Sequence, residues 1–193
     1  MSTASIISSL DRELASKGFR RKKATWNRDC GSLVDVIDIQ TSKGGNAVTL
    51  NAGVLSRSIH LTCWGQEAEP FIEEPLCTVR ARVGQLLDNK DVWWDVNSSG
   101  VSDEIVGCLG ARIFPFLERM RTPEGMRDWL LSTGIPSLRY PLPSLYFAVL
   151  QSQLGDVRAA AVLLADLEHK ALGAWKIRAH EVAVRIGSAL HNN

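Results

Sequence analysis

Two arginine side chains, Arg80 and Arg82, stand one residue apart and are the first candidates for binding chemistry in this sequence. Residues 77–83 read as a β-strand, and side chains two positions apart on a strand project from the same face. The alternative is a helix with Val79, Val83, Leu86 and Leu87 on one face, which Gly84 disfavours. Two guanidinium groups on one face can hold an anion through forked hydrogen bonds. The competing interpretation, which we favour, is that both arginines pair with acids of the same chain, such as Asp38 or Asp95.

A predicted β-hairpin adds further polar side chains to this surface. Residues 33–40 and 47–54 read as its two strands, joined by a glycine turn. Apolar residues alternate along the second strand, and pairing Ile39 with Val48 gives one consistent apolar face that a slip of one residue would expose. Asp35 is the charged exception on that face. The opposite face carries the polar residues Asp38, Gln40 and Asn51.

The candidate ligand- or partner-binding site therefore draws on separated strands and consists of Asp38, Gln40, Asn51, Arg80, Arg82 and Trp94. The two tryptophans of residues 91–96 must alternate if that segment is extended, and an outward tryptophan is a common contact anchor. Packing of the same ring under a neighbouring helix is the alternative. No residue is assigned a catalytic role.

The densest basic segment contains Arg20, Arg21, Lys22, Lys23 and Arg28, with Trp26 among them. One interpretation is a phosphate-binding strip in which Trp26 stacks on bases. The other, which we favour, is an exposed edge strand, because basic side chains protect such edges from pairing with other chains. The net charge of +1 supports the second interpretation, since the chain as a whole has no field that attracts nucleic acid.

Motifs that would indicate catalysis or metal binding are absent from the sequence. It contains no Gly-x-Ser-x-Gly elbow and no phosphate-binding glycine loop. The four histidines form no cluster with each other or with the cysteines, so we predict no metal and no cofactor.

The cysteines and the apolar runs bear on location. Cys30, Cys63, Cys77 and Cys108 form no Cys-x-x-Cys pair, which favours reduced thiols in the cytoplasm. The N-terminal residues do not resemble a secretory signal, and no apolar run is long enough to cross a bilayer. We expect a cytoplasmic protein without membrane contact.

The pattern along the chain predicts an α+β fold with an N-terminal helix, a mainly antiparallel sheet and a helical C-terminal half. Residues 2–17 have helical periodicity and end at Gly18. Strands are expected from residue 19 onward, including residues 58–64, and again at 77–83 and 91–96. Helical periodicity begins at residue 102, and Pro115 is expected to kink or restart this helix. Further helices are predicted at 123–131, 143–154, 156–172 and 174–190. We expect an α+β domain at residues 1–132 and a helical extension at 133–193.

Several strings, taken in order, resemble a bacterial family known as domain of unknown function 4304. The resemblance covers about residues 2–131 and rests on Gly18-Phe19-Arg20-Arg21-Lys22, Trp26, Arg28, Ile39-Gln40-Thr41-Ser42-Lys43, residues 48–54, Arg80-Ala81-Arg82-Val83-Gly84 and Trp93-Trp94. It implies the fold and no assigned activity.

These observations leave three functions open. The leading prediction is a non-enzymatic binding module with a protein partner, for example an immunity-type protein that neutralises a toxin. The first alternative is an enzyme acting on a small molecule or nucleotide, with Asp38 as general base and Arg80 and Arg82 as anion holders. The second is RNA binding through the strip from Arg20 to Arg28, which predicts a steep dependence on salt.

Overall fold

The computed structural model describes residues 2–87, 90–134 and 141–191. The chain divides into two compact units, which are described separately. The first comprises Met1–Leu55 and Pro70–Arg119, and the second comprises Ser56–Glu69 and Met120–Asn193. The predicted α+β class is confirmed, with an N-terminal helix, a largely antiparallel sheet and a helical C-terminal half.

The first unit begins with helix α1 (Thr3–Ser16). Its start is set by Ser2, whose hydroxyl accepts a hydrogen bond from the Ser5 backbone amide. Its end is set by Gly18, which has a positive φ of 83° that a glycine adopts without strain. The helix buries Ile6, Leu10 and Leu14, as the sequence pattern predicts.

A sheet follows, and the described strands are β1 (Arg20–Lys22), β2 (Thr25–Cys30), β3 (Leu33–Thr41), β4 (Ala47–Ser56), β5 (Val79–Arg82) and β6 (Trp94–Asp95). Their order is β1-β2-β3-β4-β5, and β6 also pairs with β4. Strands β5 and β6 contact different parts of β4, at residues 51–54 and at residues 47–48. Strand β4 is therefore paired along both of its edges and is buried along almost its whole length.

One sheet face is apolar and packs with α1. Trp26 is fully buried there, and its indole Nε1 donates to the Asp11 carboxylate at 2.8 Å. Asp35, the charged exception predicted on this face, lies opposite Arg28 of β2. The carboxylate is buried, and an Arg28 guanidinium nitrogen lies 2.7 Å from it. An ion pair thus compensates the charge that the hairpin carries into the core.

The prediction of a strand at residues 58–64 is wrong, because helix α2 (Arg57–Trp64) occupies this segment of the second unit. The Ser56 hydroxyl caps its first turn, and Gly65 ends it with a φ of 71°. The alternation of Ile59, Leu61 and Cys63 suggested a strand, yet Leu61 is 42% exposed. The buried residues are Ile59, His60 and Cys63, which share a helical face.

After β5 the first unit contains a short helix, α3 (Val83–Leu86), and a longer helical segment with an irregular middle. Helix α4 (Val101–Cys108) continues through a π-helical turn, Leu109–Ile113, into α5 (Phe114–Arg119). Pro115 explains the irregularity, because it lacks the amide hydrogen that a regular helix needs at that position. The predicted disturbance at Pro115 is therefore a widened turn within a continuous helical segment.

The second unit contains α2 and four further described helices, α6 (Pro123–Thr133), α7 (Leu142–Gln153), α8 (Val157–Lys170) and α9 (Ala174–His191). Each lies within a few residues of its predicted range. Thr122 caps α6 and Asp156 caps α8 through side-chain oxygens that accept backbone hydrogen bonds. In the part of the chain that the structure describes, no helix is both long and apolar enough to cross a membrane.

Candidate functional site: a polar cleft on the sheet

Strand pairing brings the predicted polar residues onto one sheet face. Asp38 of β3 lies opposite Thr25 of β2, and Asn51 of β4 lies opposite Arg82 of β5. Because residues two apart share a face, Gln40 and Arg80 join them. The face opens into a cleft of about 510 Å³, here called the polar cleft. Its lining includes five of the six predicted site residues, Asp38, Gln40, Asn51, Arg80 and Arg82.

The other lining residues of the polar cleft are Thr25, Glu73, Glu74 and Pro75. Three of them belong to the segment of the first unit between Pro70 and β5, which packs on the polar face of the sheet. Asn27 of β2 fastens this segment, since its amide donates to the Ile72 carbonyl at 3.0 Å and accepts from the Ile72 amide at 2.6 Å. The segment covers one end of the face and leaves the end with Asp38 open.

Gly53 allows close packing at the same place. A Cβ atom on this glycine would lie 2.7 Å from the Cys77 Sγ, which is inside van der Waals contact. The missing side chain lets Cys77 pack directly on β4 at the base of the cleft wall.

Asp38 is half-buried in the polar cleft, and the described residues that donate hydrogen bonds to it are uncharged. The Thr25 hydroxyl donates to Oδ1 at 2.8 Å, and the Asn51 amide donates to Oδ2 at 3.4 Å. The same amide approaches the Gln40 Oε1 at 3.4 Å. Asn51 is only 7% exposed, so its position is set by packing as well as by hydrogen bonds. Among the described residues, no cationic side chain lies within ion-pair distance of Asp38.

Arg80 is paired with Glu74 through a two-pronged contact. Its Nε and Nη2 donate to the two carboxylate oxygens at 2.8 Å and 2.7 Å. Glu74 is 6% exposed, whereas the arginine side chain is 43% exposed. The guanidinium thus compensates a buried acid of the segment that covers the sheet.

Among the described residues, the Arg82 guanidinium has three partners at the rim of the polar cleft. Its Nη1 donates to Asp91 at 2.9 Å, its Nη2 donates to Gln40 at 3.1 Å, and its guanidinium lies 5.4 Å from the centre of the Trp93 ring. The Trp93 indole also donates to Asp91, at 3.0 Å. Hydrogen bonds from Arg82 and then from Trp93 lower the pKa of the Asp91 carboxyl.

The arginines therefore pair with acids of the same chain, as favoured, but the predicted acids are the wrong ones. Glu74 and Asp91 take the places expected for Asp38 and Asp95. Asp95 instead accepts a hydrogen bond from the backbone amide of Asn97 in a turn. The sequence pattern could not show this, because the loops that carry Glu74 and Asp91 have no periodicity that places them.

Trp94 does not join the other predicted site residues, and its assignment as an exposed contact is corrected. It pairs with Val48, is 6% exposed, and its indole donates to Glu104 of α4 at 2.7 Å. Its neighbour Trp93 is the half-exposed member of the pair and stands beside Arg82. The expected alternation holds, and Trp93, rather than the predicted site residue Trp94, is the more exposed tryptophan.

The basic strip lies on the edge strand β1, where Arg20, Arg21 and Lys22 are all exposed. Trp26 is buried and offers no surface for stacking on bases. Arg28 is engaged with Asp35 and lies over the Phe19 ring at 4.7 Å. The basic strip thus lacks the exposed tryptophan ring on which bases were expected to stack.

Metal and thiol chemistry find little support in the described residues. Nowhere among them do three His, Cys, Asp or Glu side chains form a group that could hold a metal ion. All four cysteines are free thiols. Burial raises the pKa of Cys63 to about 12 and raises the pKa of Cys77 well above its usual value, so neither is an activated nucleophile.

Comparison with known proteins identifies one family. A family model described as Domain of unknown function (DUF4304) matches residues 10–119, which include every residue of the polar cleft. No curated protein matches the chain. No solved structure matches it either.

Proposed function

The chain belongs to the family described as Domain of unknown function (DUF4304), and from this premise we propose that it is a non-enzymatic binding protein whose polar cleft recognises another protein. The observation that carries the proposal is the convergence of Asp38, Asn51 and Arg82, from three strands, around one open cleft. We further propose a bacterial origin, from the resembled family, and a cytoplasmic location, from the free thiols. A toxin neutralised by this chain is one concrete form of the partner.

Preorganisation supports a binding role. The cleft side chains hold one another through hydrogen bonds, and Asn51 and Glu74 are buried. Side chains already fixed in the free protein lose little conformational entropy when a partner docks. Around them stand the half-exposed Trp93 and the arginine side chains, which are residue types enriched at protein interfaces.

An enzyme that uses Asp38 as general base is the second candidate, and the common cleft of Asp38, Arg80 and Arg82 favours it. We rank it lower because both arginines already donate hydrogen bonds to acids of the same chain. Anion binding would have to compete with those carboxylates. RNA binding ranks third, since Trp26 is buried and Arg28 is engaged with Asp35.

The experiment compares two variants of the tagged full chain as bait in quantitative affinity capture from the source organism. Gln40→Trp places an indole at the mouth of the polar cleft, where Gln40 is exposed. Thr41→Trp adds the same ring at the next exposed position of β3, whose side chain projects from the opposite face. We expect the unaltered chain and Thr41→Trp to recover one partner in stoichiometric amount, and Gln40→Trp to lose it. Equal recovery by both variants, or no stoichiometric partner for any bait, would reject the proposal.

A further inference from the structure

We infer that the polar cleft binds the cationic end of a lysine or arginine side chain of the partner, with the Asp38 carboxylate as its counter-ion. This inference rests on the proposed function and adds the chemistry of recognition to it.

The charges of the cleft are unevenly matched. Three lining carboxylates, those of Asp38, Glu73 and Glu74, face two guanidinium groups, which leaves one negative charge in excess. Arg80 is committed to Glu74 by a two-pronged contact. Arg82 is committed to Asp91, an acid just outside the lining. The positive charge of the cleft is therefore already balanced within the chain.

Asp38 and Glu73 are the two lining carboxylates without an ion pair to a residue that the structure describes. The two donors to Asp38, the Thr25 hydroxyl and the Asn51 amide, orient its carboxylate without neutralising it. Glu73 stands exposed at the rim and makes no ion pair with any residue that the structure describes. A cation that enters between them meets an oriented acceptor in a half-buried setting, where charges interact more strongly than in bulk water.

An organic cation fits this site better than a metal ion or an anion. Within the described part of the chain, Asp38 and Glu73 belong to no group of three side chains able to hold a metal. An anion would meet the unpaired carboxylates and would have to displace Glu74 or Asp91 from the arginines. Ammonium and guanidinium groups carry several N–H donors, and the cleft offers them the acceptor oxygens of Asp38 and Glu73.

The test is a titration of the full chain with synthetic peptides, followed by NMR at the side-chain amide of Asn51 and the indole of Trp93. The probes are the acetylated and amidated peptides Gly-Gly-Lys-Gly-Gly, its arginine and glutamate counterparts, inorganic phosphate and Mg²⁺. We expect saturable shifts of the Asn51 amide with the lysine and arginine peptides and none with the other three probes. Saturation by phosphate, by the glutamate peptide or by Mg²⁺, or no shift with either basic peptide, overturns the inference.

Two variants assign the effect to Asp38. Asp38→Asn keeps an oxygen for the Thr25 hydroxyl and removes the charge, and we expect it to bind the basic peptides at least about tenfold more weakly. Asp103→Asn removes an exposed carboxylate of α4 outside the cleft and should leave binding unchanged. Equal affinity of Asp38→Asn and the unaltered chain contradicts the inference. Should Asp38→Asn fail to fold, Glu73→Gln at the exposed rim takes its place, with a smaller loss expected.

The peptide titration tests the charge preference of the cleft and the capture experiment tests the protein partner, so one can fail while the other succeeds. Peptide binding does not depend on a natural partner, so basic peptides that bind while capture recovers nothing preserve the charge preference and reject the protein partner. A partner that Gln40→Trp loses and Asp38→Asn keeps preserves the proposed function and rejects the role of Asp38.

Discussion

Asn27 and Ile72 are joined by two hydrogen bonds that occupy both the amide and the carbonyl of Ile72. Asn27 lies in β2, and Ile72 lies 45 residues later in the chain. This clasp lays Glu73, Glu74 and Pro75 beside the sheet. One wall of the polar cleft is therefore held by this asparagine side chain together with the contact between Arg80 and Glu74.

Replacing Asn27 by alanine should release that wall. Two buried backbone groups would lose their partner, and we expect a loss of about 2–4 kcal/mol in the free energy of unfolding. Asn27→Asp should cost at least as much, because its carboxylate would be buried and could not donate to the Ile72 carbonyl oxygen. Urea denaturation gives the stability, and hydrogen exchange of the Ile72 amide reports the clasp. An alanine variant with unchanged exchange at Ile72 would refute this role of Asn27.

The buried pair of Arg28 and Asp35 should contribute far more to stability than an exposed pair. Arg28→Met leaves a fully buried carboxylate without its guanidinium, at an expected cost of about 3–5 kcal/mol. Arg21→Met is the matched control, because Arg21 pairs with Asp11 where both side chains are exposed, and it should cost less than about 1 kcal/mol. Both values come from urea denaturation. Similar losses in the two variants would contradict the assignment of the Asp35 charge to the core.

Two glycines in helices should respond in opposite ways to alanine. A Cβ on Gly84 would lie 1.7 Å from the Lys90 carbonyl oxygen, so Gly84→Ala must displace the backbone that leads to Asp91. We expect a loss of stability above about 2 kcal/mol. Gly107 lies exposed in α4 with open space around its Cβ position, and Gly107→Ala should be neutral or stabilise by up to about 1 kcal/mol. Thermal denaturation distinguishes the two, and a neutral Gly84→Ala would disprove the close contact.

The buried thiols should be unreactive in the folded chain. Burial raises the pKa of Cys63 to about 12, and burial followed by the nearby Glu74 raises the pKa of Cys77. Because the thiolate is the reactive form, both should resist an alkylating reagent at mildly alkaline pH until the chain unfolds. Peptide mass spectrometry after timed labelling measures each site. Rapid labelling of native Cys77 would show that this thiol is accessible and its burial wrong.

His60 should make the second unit less stable in acid. Burial lowers the pKa of its imidazole below 6.5, against a smaller opposing effect of Glu67. As the pH falls below 6.5, His60 binds a proton in the unfolded chain but not yet in the folded chain. The free energy of unfolding therefore decreases with falling pH until the lowered pKa of the folded state is reached. His60→Leu should reduce that slope between pH 7 and pH 5, which are about the limits of the histidine range. Urea denaturation across this range measures it, and an unchanged slope would contradict burial of a neutral imidazole.

The sequence predicts the parts of this molecule that periodicity controls. Alternation along β4 separates its polar and apolar faces, and this is why Asp38, Gln40 and Asn51 could be placed together with Arg80 and Arg82. Residues 57–64 show the limit of that reasoning. There, apolar residues at every second position suggest a strand, but the Ser56 hydroxyl caps the first turn of a helix.

Partners that come from irregular segments could not be predicted. Glu74 and Asp91 reach the arginines from segments whose path depends on the Asn27 clasp and on the approach of Lys90 to Gly84. The order of Trp93 and Trp94 depends on a short strand, β6, whose register is set by its pairing with Val48. Each of these is a tertiary contact without a local sequence signal.

The most direct test of the polar cleft as a recognition site is the amount of partner captured by Gln40→Trp relative to Thr41→Trp. Both baits carry one added indole on β3, and circular dichroism must first show that both are folded. We expect Thr41→Trp to retain the partner at the level of the unaltered chain and Gln40→Trp to lose it. Full recovery of the partner by Gln40→Trp would place recognition outside the polar cleft and reject the proposed site.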